Sequence, residues 1–539
     1  MTKSIVIKAS VRWALQALCC CLAVHGLAAA QRPLEVPSYE SLLDPTLVTL
    51  HVAEVGPVSI TGIEFKLSYE FGPAFVKRVS DSKLRCLNFM INEKLLALDA
   101  QRRGLGAWPD VQRQVAEIEA DLATEELYKR DVLKGVRVTD RQIAQGVALE
   151  RVQLAVQWIF TRTAGEMDEC IRRLRSGVPF DSLYAGQLRQ SPQLESERSM
   201  TTTRFKLRMK NPMLAGIVDT MTAGTISLPV HGPDGWYLVR TADVSTNPLM
   251  TQTESIKLAE EVRRTLIQHI SDSLSDRYVG TLVASRRPTI LREPFNALVA
   301  HLGKRYLDSA RYHAWNLAAL KGARRIPDAA DLGAIAADTL VRMNKGRFSV
   351  QDFLEWFRLR EPYATLTLSS PAALSHAVEE MVWRMVRDRL LTERAFARGF
   401  QRALGVKQQT AWWKNKMLYT ANRNRIGDTI VDSLPALRSY YENNQRRYAD
   451  SLGRVRSFAD AREDVWRDYY AQELTRKLLH EILRLRQQYG VKVDADALAK
   501  IPVDEEHNPK AIDVYPVKKG GIYPHAAFPS IDYDWQTWN

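Results

Sequence analysis

One segment of the chain occurs twice, and this repeat constrains the fold more than any other feature of the sequence. Residues 94–105 (KLLALDAQRRGL) return as residues 389–400 (RLLTERAFARGF), with Leu, Leu, Ala, Arg and Gly identical at matching places. At nearly the same spacing, residues 60–65 pair with residues 348–353, and residues 138–140 with residues 431–433. Self-similarity at a fixed spacing indicates a duplicated structural unit, here a module of about 100 residues.

The residues inside the module favour helices. Apolar side chains recur at steps of three and four along one helix face, which Gly104 ends: Leu84, Leu87, Ile91, Leu95 and Leu98. Residues 47–55 alternate as a strand, a helix runs from Thr61 to Phe71, and residues 109–135 form a further helical stretch. After the second copy, residues 458–488 predict one long helix that packs through Val465, Trp466, Tyr469 and Tyr470.

Between the two copies the pattern changes to short strands and short helices. Residues 152–160 predict a strand, residues 164–176 and 180–188 two helices, and residues 212–221 a third helix after a polar stretch that ends at Lys210. Residues 226–230 and 236–242 predict two strands around the turn Gly232-Pro233-Asp234-Gly235. This order predicts a compact α+β domain, followed by a long amphipathic helix over residues 253–285.

The fold class that follows is mainly α with one α+β domain. The predicted organisation has six parts: a signal peptide (1–30), an N-terminal helical module (31–151), the α+β domain (152–244), linking helices (245–330), a second helical module (331–500) and a C-terminal tail (501–539).

Composition and the N-terminus indicate an exported protein. Hydrophobic residues make up 45% and charged residues 25%, which is ordinary for a globular chain. Met1 to Ala30 carries a basic start, an apolar stretch and a small-residue end, so we expect cleavage before Gln31. Cys86 and Cys170 then remain, so no disulfide framework is expected. No later stretch is apolar enough for a membrane span. The net charge is +13, but the Lys and Arg residues are spread along the chain and intermixed with Asp and Glu. No nucleic-acid partner is therefore expected.

Several local patterns resemble the SurA/PrsA-like family of exported parvulin-type (PpiC-type) peptidyl-prolyl isomerases and chaperones. Residues 94–105 resemble its Leu-Leu…Ala…Arg-Gly helix, and residues 440–448 (YYENNQRRY) its Tyr-Tyr-Glu-x-Asn element. Residues 174–183, 224–230 (GTISLPV) and 235–240 (GWYLVR) resemble parts of the parvulin domain. The resemblance spans about residues 48–498 and implies two SurA-like helical chaperone modules around a parvulin-like domain.

The resemblance also locates the isomerase site, and there the residues differ. The two family histidines fall on Trp158 and Tyr237, and the family's acidic position falls near Thr201. The positions that grip the proline ring fall near Lys210 and Leu214. Trp158 and Tyr237 would then form an aromatic pocket that binds peptide without isomerising it. Alternatively, both are ordinary core aromatics of the strands.

Other candidate sites are few. The sequence holds no nucleophile elbow, P-loop or HExxH motif, and no metal or cofactor is expected. His231 is either a displaced catalytic group or a solvated turn residue, and Cys86 is expected to be a buried small hydrophobe. The pairs Trp412–Trp413 and Trp535–Trp538 are either partner-binding spots or packed residues, the second pair in a docked tail.

The resemblance implies a periplasmic, ATP-independent chaperone that binds unfolded exported clients, above all outer-membrane proteins. Two alternatives stay open: an active peptidyl-prolyl cis-trans isomerase, which the missing histidines oppose, and a dedicated accessory protein of one secretion or envelope-assembly system.

Overall fold

The computed structural model describes residues 32–33, 44–77, 79–190, 198–232, 234–246, 250–306, 332–361, 366, 370–431, 433–505 and 528–537. The predicted signal peptide, its cleavage site and Trp538 lie outside these residues. Two compact units divide the chain, one of residues 1–35 and 132–276 and the other of residues 36–131 and 277–539.

The described residues are mainly helical, with four small antiparallel sheets. The strands are β1 (Arg32–Pro33), β2 (His51–Val55), β3 (Val58–Thr61), β4 (Arg137–Val138), β5 (Val152–Thr161), β6 (Ser199–Thr203), β7 (Val230–Gly232), β8 (Gly235–Thr246), β9 (Thr289–Ile290), β10 (Thr339–Arg342), β11 (Arg347–Ser349) and β12 (Val491–Val493). The first nine helices are α1 (Pro45–Thr49), α2 (Gly62–Glu70), α3 (Ser82–Arg102), α4 (Pro109–Asp131), α5 (Asp140–Glu150), α6 (Ala164–Arg175), α7 (Phe180–Gln190), α8 (Arg204–Lys210) and α9 (Pro212–Val218). The others are α10 (Gln252–Arg286), α11 (Arg292–Tyr306), α12 (Leu332–Ile335), α13 (Val350–Arg358), α14 (Pro371–Ala397), α15 (Leu404–Gly427), α16 (Leu434–Asn444), α17 (Phe458–Tyr489) and α18 (Ala495–Lys500).

The sequence repeat is a repeat of structure. Each copy begins with a hairpin, β2–β3 or β10–β11, and continues into a nine-residue helix, α2 or α13. The side chains of Thr61 and Ser349 cap these helices by accepting a backbone N–H. A long helix follows, α3 or α14, then a left-handed glycine, Gly104 (φ 76°) or Gly399 (φ 75°). A three-residue 3₁₀ turn and a second long helix, α4 or α15, complete each copy.

The hairpin of each module gains a third strand from another part of the chain, which the sequence patterns did not predict. The hairpin strand β10 pairs with β9, which follows the long helix α10. The hairpin strand β2 pairs with β12, which follows the long helix α17 at the other end of the chain. The helix after each added strand, α11 or α18, packs on the sheet and on the first long helix of that module. The repeated unit therefore extends beyond the predicted module to a helix–strand–helix segment.

The long helices of the two modules pack in a reciprocal pattern. Helix α3 packs on α15 and helix α14 packs on α4, while α4 and α15 pack on each other. This is the pattern of an isologous dimer, in which equivalent surfaces meet, built within one chain. The larger apolar core accordingly contains residues of both modules, among them Leu95, Leu96, Leu391 and Leu418.

The α+β domain has one four-stranded antiparallel sheet in the order β6-β5-β8-β7. Helices α6 and α7 cover one face, where Ile159 and Leu238 pack on Phe180. Helices α8 and α9 cover the other, where Val156 and Val239 pack on Leu207, Ala215 and Val218. Because β5 is covered on both faces, its apolar residues do not follow a single alternation.

Several local predictions differ from the structure. Residues 45–49 form α1 rather than a strand, because Pro45 stands at the first helical position and Asp44 caps it. The polar stretch before Lys210 contains β6 and α8. Within residues 226–230 a single bridge, Ile226 to Arg240, precedes β7. Leu84 lies on the exposed side of α3. The side chains of Thr139 and Gln142 form a capping box at the start of α5, and β5, α6 and α7 begin at the predicted residues.

The last elements confirm two packing predictions. Helix α17 buries Val465, with Trp466 and Tyr469 packed on the same small core. The segment 528–537 docks on the larger core through Phe528, Ile531 and Trp535. Cys86 is fully buried, which raises the pKa of its thiol, and both Cys86 and Cys170 are free. Among the described helices, none combines the length and the apolar character needed to cross a membrane.

Candidate functional site

Strands β5 and β8 place Trp158 and Tyr237 on the same face of the sheet. Trp158 lies opposite Val239, and Phe160 lies opposite Tyr237. Residues that face each other in an antiparallel pair share a side of the sheet, as do residues two apart on one strand. Trp158 and Tyr237 are both half-buried and pack on the cluster that contains Leu154, Val156 and Val239. The two residues that stand where the resemblance places histidines are therefore neighbours.

Leu214 joins the same cluster from above the sheet. It lies on α9, whose start is fixed by Pro212 and by the Asn211 side chain, which accepts the backbone N–H of Leu214 at 3.0 Å. Leu214 is partly buried against the cluster that Trp158 and Tyr237 border. Three of the five predicted site residues, Trp158, Leu214 and Tyr237, thus meet on one surface. Together with Phe160 and Met200 they form what we call the aromatic face.

Thr201 and Lys210 do not take part in this surface. Thr201 lies opposite Ala155, so its side chain projects from the other side of the sheet. The neighbouring Met200 lies opposite Val156 and packs on the cluster instead. Lys210 ends α8 with an exposed side chain. The expected polar position near Thr201 is therefore held by a methionine on the aromatic face.

The hydroxyl of Tyr237 is engaged. It donates to Asp234, with O···O distances of 2.8 and 2.7 Å to the two carboxylate oxygens. Burial, with a contribution from this hydrogen bond, raises the pKa of Tyr237 to about 12. The phenol therefore stays protonated at neutral pH and donates its proton to Asp234. Its ring lies close to Gly232, where a Cβ would come within 2.8 Å of Cε2.

The sequence reasoning did not identify Phe160, a member of the aromatic face, or Arg198 at its edge. The ring of Phe160 lies 5.1 Å from that of Tyr237. The guanidinium of Arg198 lies over Phe160 at 5.3 Å from the ring centroid, a cation–π contact. The alternation of β5 from Trp158 would have indicated Phe160. Arg198 follows residues 191–197, which are not described, and no sequence pattern pointed to it.

His231 lies on the opposite side of the sheet. His231 lies in β7 and pairs with Trp236 of β8. It is exposed, and its ring lies 4.9 Å from the indole. Because Trp236 neighbours Tyr237 along β8, its side chain points to the other face. His231 is thus solvated, as one of the two readings expected, but it lies in β7 beside the turn rather than in it.

The aromatic face offers contact surface rather than acid–base chemistry. Its members are aromatic, thioether and aliphatic side chains, with Arg198 at the edge. Cys170 lies on α6, beside the other face of the sheet. Within the described ranges, no group of three or more His, Cys, Asp or Glu side chains is placed to hold a metal ion. Such a surface suits an extended apolar or aromatic peptide.

Comparisons with known proteins give little beyond this geometry. No family model matches the chain, and no curated protein matches it. Among solved structures, the foldase protein PrsA from Streptococcus pneumoniae str. Canada MDR_19A is similar over 44% of this chain and 93% of that chain, with 10% identity. The TM-score of 0.21 is too low to establish a shared fold.

Proposed function

We propose that the chain is an ATP-independent chaperone of the SurA-like kind, exported to the periplasm by cleavage after residue 30. Its clients are unfolded exported polypeptides, and outer-membrane β-barrel precursors are the first class to test. The observation that carries the proposal is the aromatic face of the α+β domain, which lacks a histidine at both expected positions. In the sequence this domain lies between the two copies of the helical module.

The domain would bind peptide and release it unchanged. An isomerase has to stabilise a twisted imide against a barrier of about 18–20 kcal/mol. Positioned acid–base groups contribute about 10² to 10⁴ in rate to such chemistry, and the aromatic face provides none. Apolar contact alone stabilises a bound segment by about 25 cal/mol for each Å² of apolar surface buried. Several shallow contacts of this kind give moderate affinity and rapid release without an energy source.

Two assays on the purified protein test this proposal together. In the first, turnover of a proline-containing tetrapeptide should stay near the uncatalysed rate. In the second, the protein should suppress aggregation of an unfolded outer-membrane barrel protein without ATP. A kcat/KM within tenfold of that of a histidine-containing parvulin would establish the isomerase alternative instead.

A matched pair of variants locates the contact. Trp158→Ala removes the largest side chain of the aromatic face and should weaken binding of a proline-containing peptide about tenfold, which corresponds to about 1.4 kcal/mol. His231→Ala removes an exposed aromatic residue on the opposite side of the same sheet, and should leave binding unchanged. Equal effects of the two substitutions would remove the aromatic face as the binding surface.

A further inference from the structure

The C-terminal segment fills a slot between helices α3 and α15. Trp535 is 1% exposed and stacks on Phe89 at 5.5 Å and on Tyr419 at 6.2 Å between ring centroids. Its indole N–H donates to Glu93 Oε1 at 2.9 Å. The slot thus offers two aromatic walls and one carboxylate acceptor, a combination that matches an indole ring.

The rest of the segment lies along a groove that continues from the slot. Phe528 packs against Phe71 and Trp412, with ring centroids 5.6 and 6.4 Å apart. The backbone N–H of Asp532 donates to Glu93 at 2.7 Å, and the Asp532 carboxylate accepts from the Tyr419 hydroxyl at 3.1 Å. Arg423 pairs with Asp534. A cleft of about 40 Å³ remains beside Pro529, Ser530 and Ile531.

The second module fills the equivalent position with a residue of its own. The repeat aligns Glu93 with Asp388 and Ser68 with Trp356. Trp356, on α13, donates its indole N–H to Asp388 at 3.1 Å. In the first module α2 carries Ser68 at that place, and Ser68 lines the cleft beside the tail. The tail therefore supplies to the first module the indole that a helix supplies to the second.

The slot keeps a charge partner when no indole is present. Lys416 Nζ lies 2.8 Å from both oxygens of Glu93, so the carboxylate stays paired if the tail leaves. Lys94, at the rim of the cleft, is held by Glu64 at 2.6 Å. Departure of the tail thus uncovers aromatic surface without leaving a buried charge alone, which is the condition for an exchangeable ligand.

We propose that this slot is a binding site for a tryptophan-bearing segment of an unfolded polypeptide, and that the C-terminal segment occupies it as an internal competitor. The proposal rests on the proposed chaperone function and names where a client side chain binds. The occupant it commits to resembles the tail: a segment whose tryptophan lies in a short 3₁₀ turn and is preceded by acidic residues that pair with Arg423.

A labelled peptide with the sequence of residues 528–537 (FPSIDYDWQT) is the probe. The full chain that carries both Phe528→Ala and Trp535→Ala should release its tail. It should then bind the peptide, as measured by fluorescence anisotropy. The unchanged protein should bind it at least tenfold more weakly, because a tethered competitor acts at about millimolar effective concentration. Tyr533→Ala is the matched control, since Tyr533 is 66% exposed and its loss should leave the tail in place.

A third variant fixes the position of binding. Ser68→Trp, added to the tail-released variant, places an indole where the second module carries Trp356, and should abolish peptide binding. Ser68→Trp alone should displace the tail of the intact chain, seen as new proteolysis near residue 528 with an unchanged melting temperature. Binding that survives Ser68→Trp, or that is equal in the unchanged and tail-released proteins, would overturn the proposal.

Aggregation assays separate this inference from the function on which it rests. If the peptide binds as expected but no form of the protein suppresses aggregation, the binding slot is supported and the chaperone function is rejected. If the unchanged protein suppresses aggregation and the tail-released variant neither improves on it nor binds the peptide, the chaperone function stands and the slot proposal fails.

Discussion

The two helical modules satisfy equivalent carboxylates in different ways. In the second module, Asp388 accepts a hydrogen bond from Trp356, which lies within α13 and is 2% exposed. In the first, Glu93 accepts one from Trp535, which reaches it from the end of the chain. Both indoles are buried against aromatic rings: Trp535 stacks on Phe89, and Trp356 contacts Phe353 in a tilted arrangement. What differs is the covalent connection of the indole to its module.

That connection decides what the residue can do. A tryptophan inside a helix cannot leave without unfolding that helix and the sheet it packs on. A tryptophan near a chain end can leave alone, at the cost of its own local contacts, because local opening costs less free energy than global unfolding. The duplication therefore produced one closed module and one module whose equivalent position is open to exchange.

The largest expected loss of stability comes from a substitution in the second module. Trp356→Ala should lower the free energy of unfolding by about 3–5 kcal/mol, because it leaves a cavity in the core of the second module. It also removes the neutral donor of Asp388, whose remaining partners are Arg360 and Arg387. Equilibrium denaturation of the full chain measures this loss.

The corresponding change in the first module should cost less. Trp535→Ala should reduce the free energy of unfolding by about 1–2 kcal/mol, because the tail undocks while the modules stay folded. Trp383→Ala is the control for tryptophan removal as such, since Trp383 is 38% exposed. A loss for Trp535→Ala equal to that for Trp356→Ala would make the tail an integral part of the core.

A second difference between the modules lies at Asp99, which the repeat aligns with Arg394. Asp99 is fully buried and accepts from Arg102 at 2.7 Å, from Arg103 at 2.6 Å and from Asn422 at 3.2 Å. Asp99→Ala should cost about 2–3 kcal/mol, because charged hydrogen bonds are lost and Asn422 stays buried. Arg394→Ala, at an exposed position, should change stability by less than about 0.5 kcal/mol.

The same carboxylate gives a pH dependence with a definite sign. Burial raises the pKa of Asp99, but the hydrogen bonds from Arg103, Arg102 and Asn422 outweigh it and hold the pKa below its usual range. The unfolded chain therefore takes up this proton at higher pH than the folded chain. The stabilisation is complete above about pH 5 and is lost as the pH falls through the folded-state value. Asp99→Asn should flatten this part of the stability curve.

The sequence predicted those parts of the fold that depend on local signals. Thr61, Ser349 and Thr139 cap helices because a short oxygen-bearing side chain reaches the third backbone N–H. Gly104 and Gly399 end helices because glycine tolerates a positive φ. Strands β9 and β12 were missed because they are two and three residues long and pair with hairpins far away in the chain. Nothing in such short segments specifies a partner.

The candidate site was predictable to the same extent. Trp158 and Tyr237 lie on strands with strong patterns, and the structure places them together. Thr201 lies on the other side of the sheet from Trp158, because in β6 a shift of one residue reverses the face that a side chain takes. The position of Trp535 could not be predicted, because it depends on a contact with Glu93. The alignment of Ser68 with Trp356 would have indicated that α2 lacks the indole that α13 carries.

A smaller and symmetric effect tests the equivalence of the modules. Gly104 and Gly399 have φ of 76° and 75°, and a Cβ at either would meet no atom within 4 Å. Gly104→Ala and Gly399→Ala should therefore each cost about 1–2 kcal/mol, from backbone strain alone. Chemical denaturation of the two variants should give equal losses. A difference above 1 kcal/mol would show that the turns are not equivalent.

The smallest expected effect concerns Tyr237 in the α+β domain, at a position where the family resemblance led us to expect a histidine. Its phenol has a pKa near 10 in the unfolded chain and about 12 in the fold, because burial and Asp234 favour the protonated form. Between these values the folded state binds more protons than the unfolded state, so stability falls as the pH rises. Tyr237→Phe should be nearly neutral at pH 7, because its hydroxyl bonds to an exposed carboxylate. It should also lose stability less steeply than the unchanged protein from pH 10 to 12. Identical pH profiles for the two proteins would mean that the phenol is not held as the structure places it.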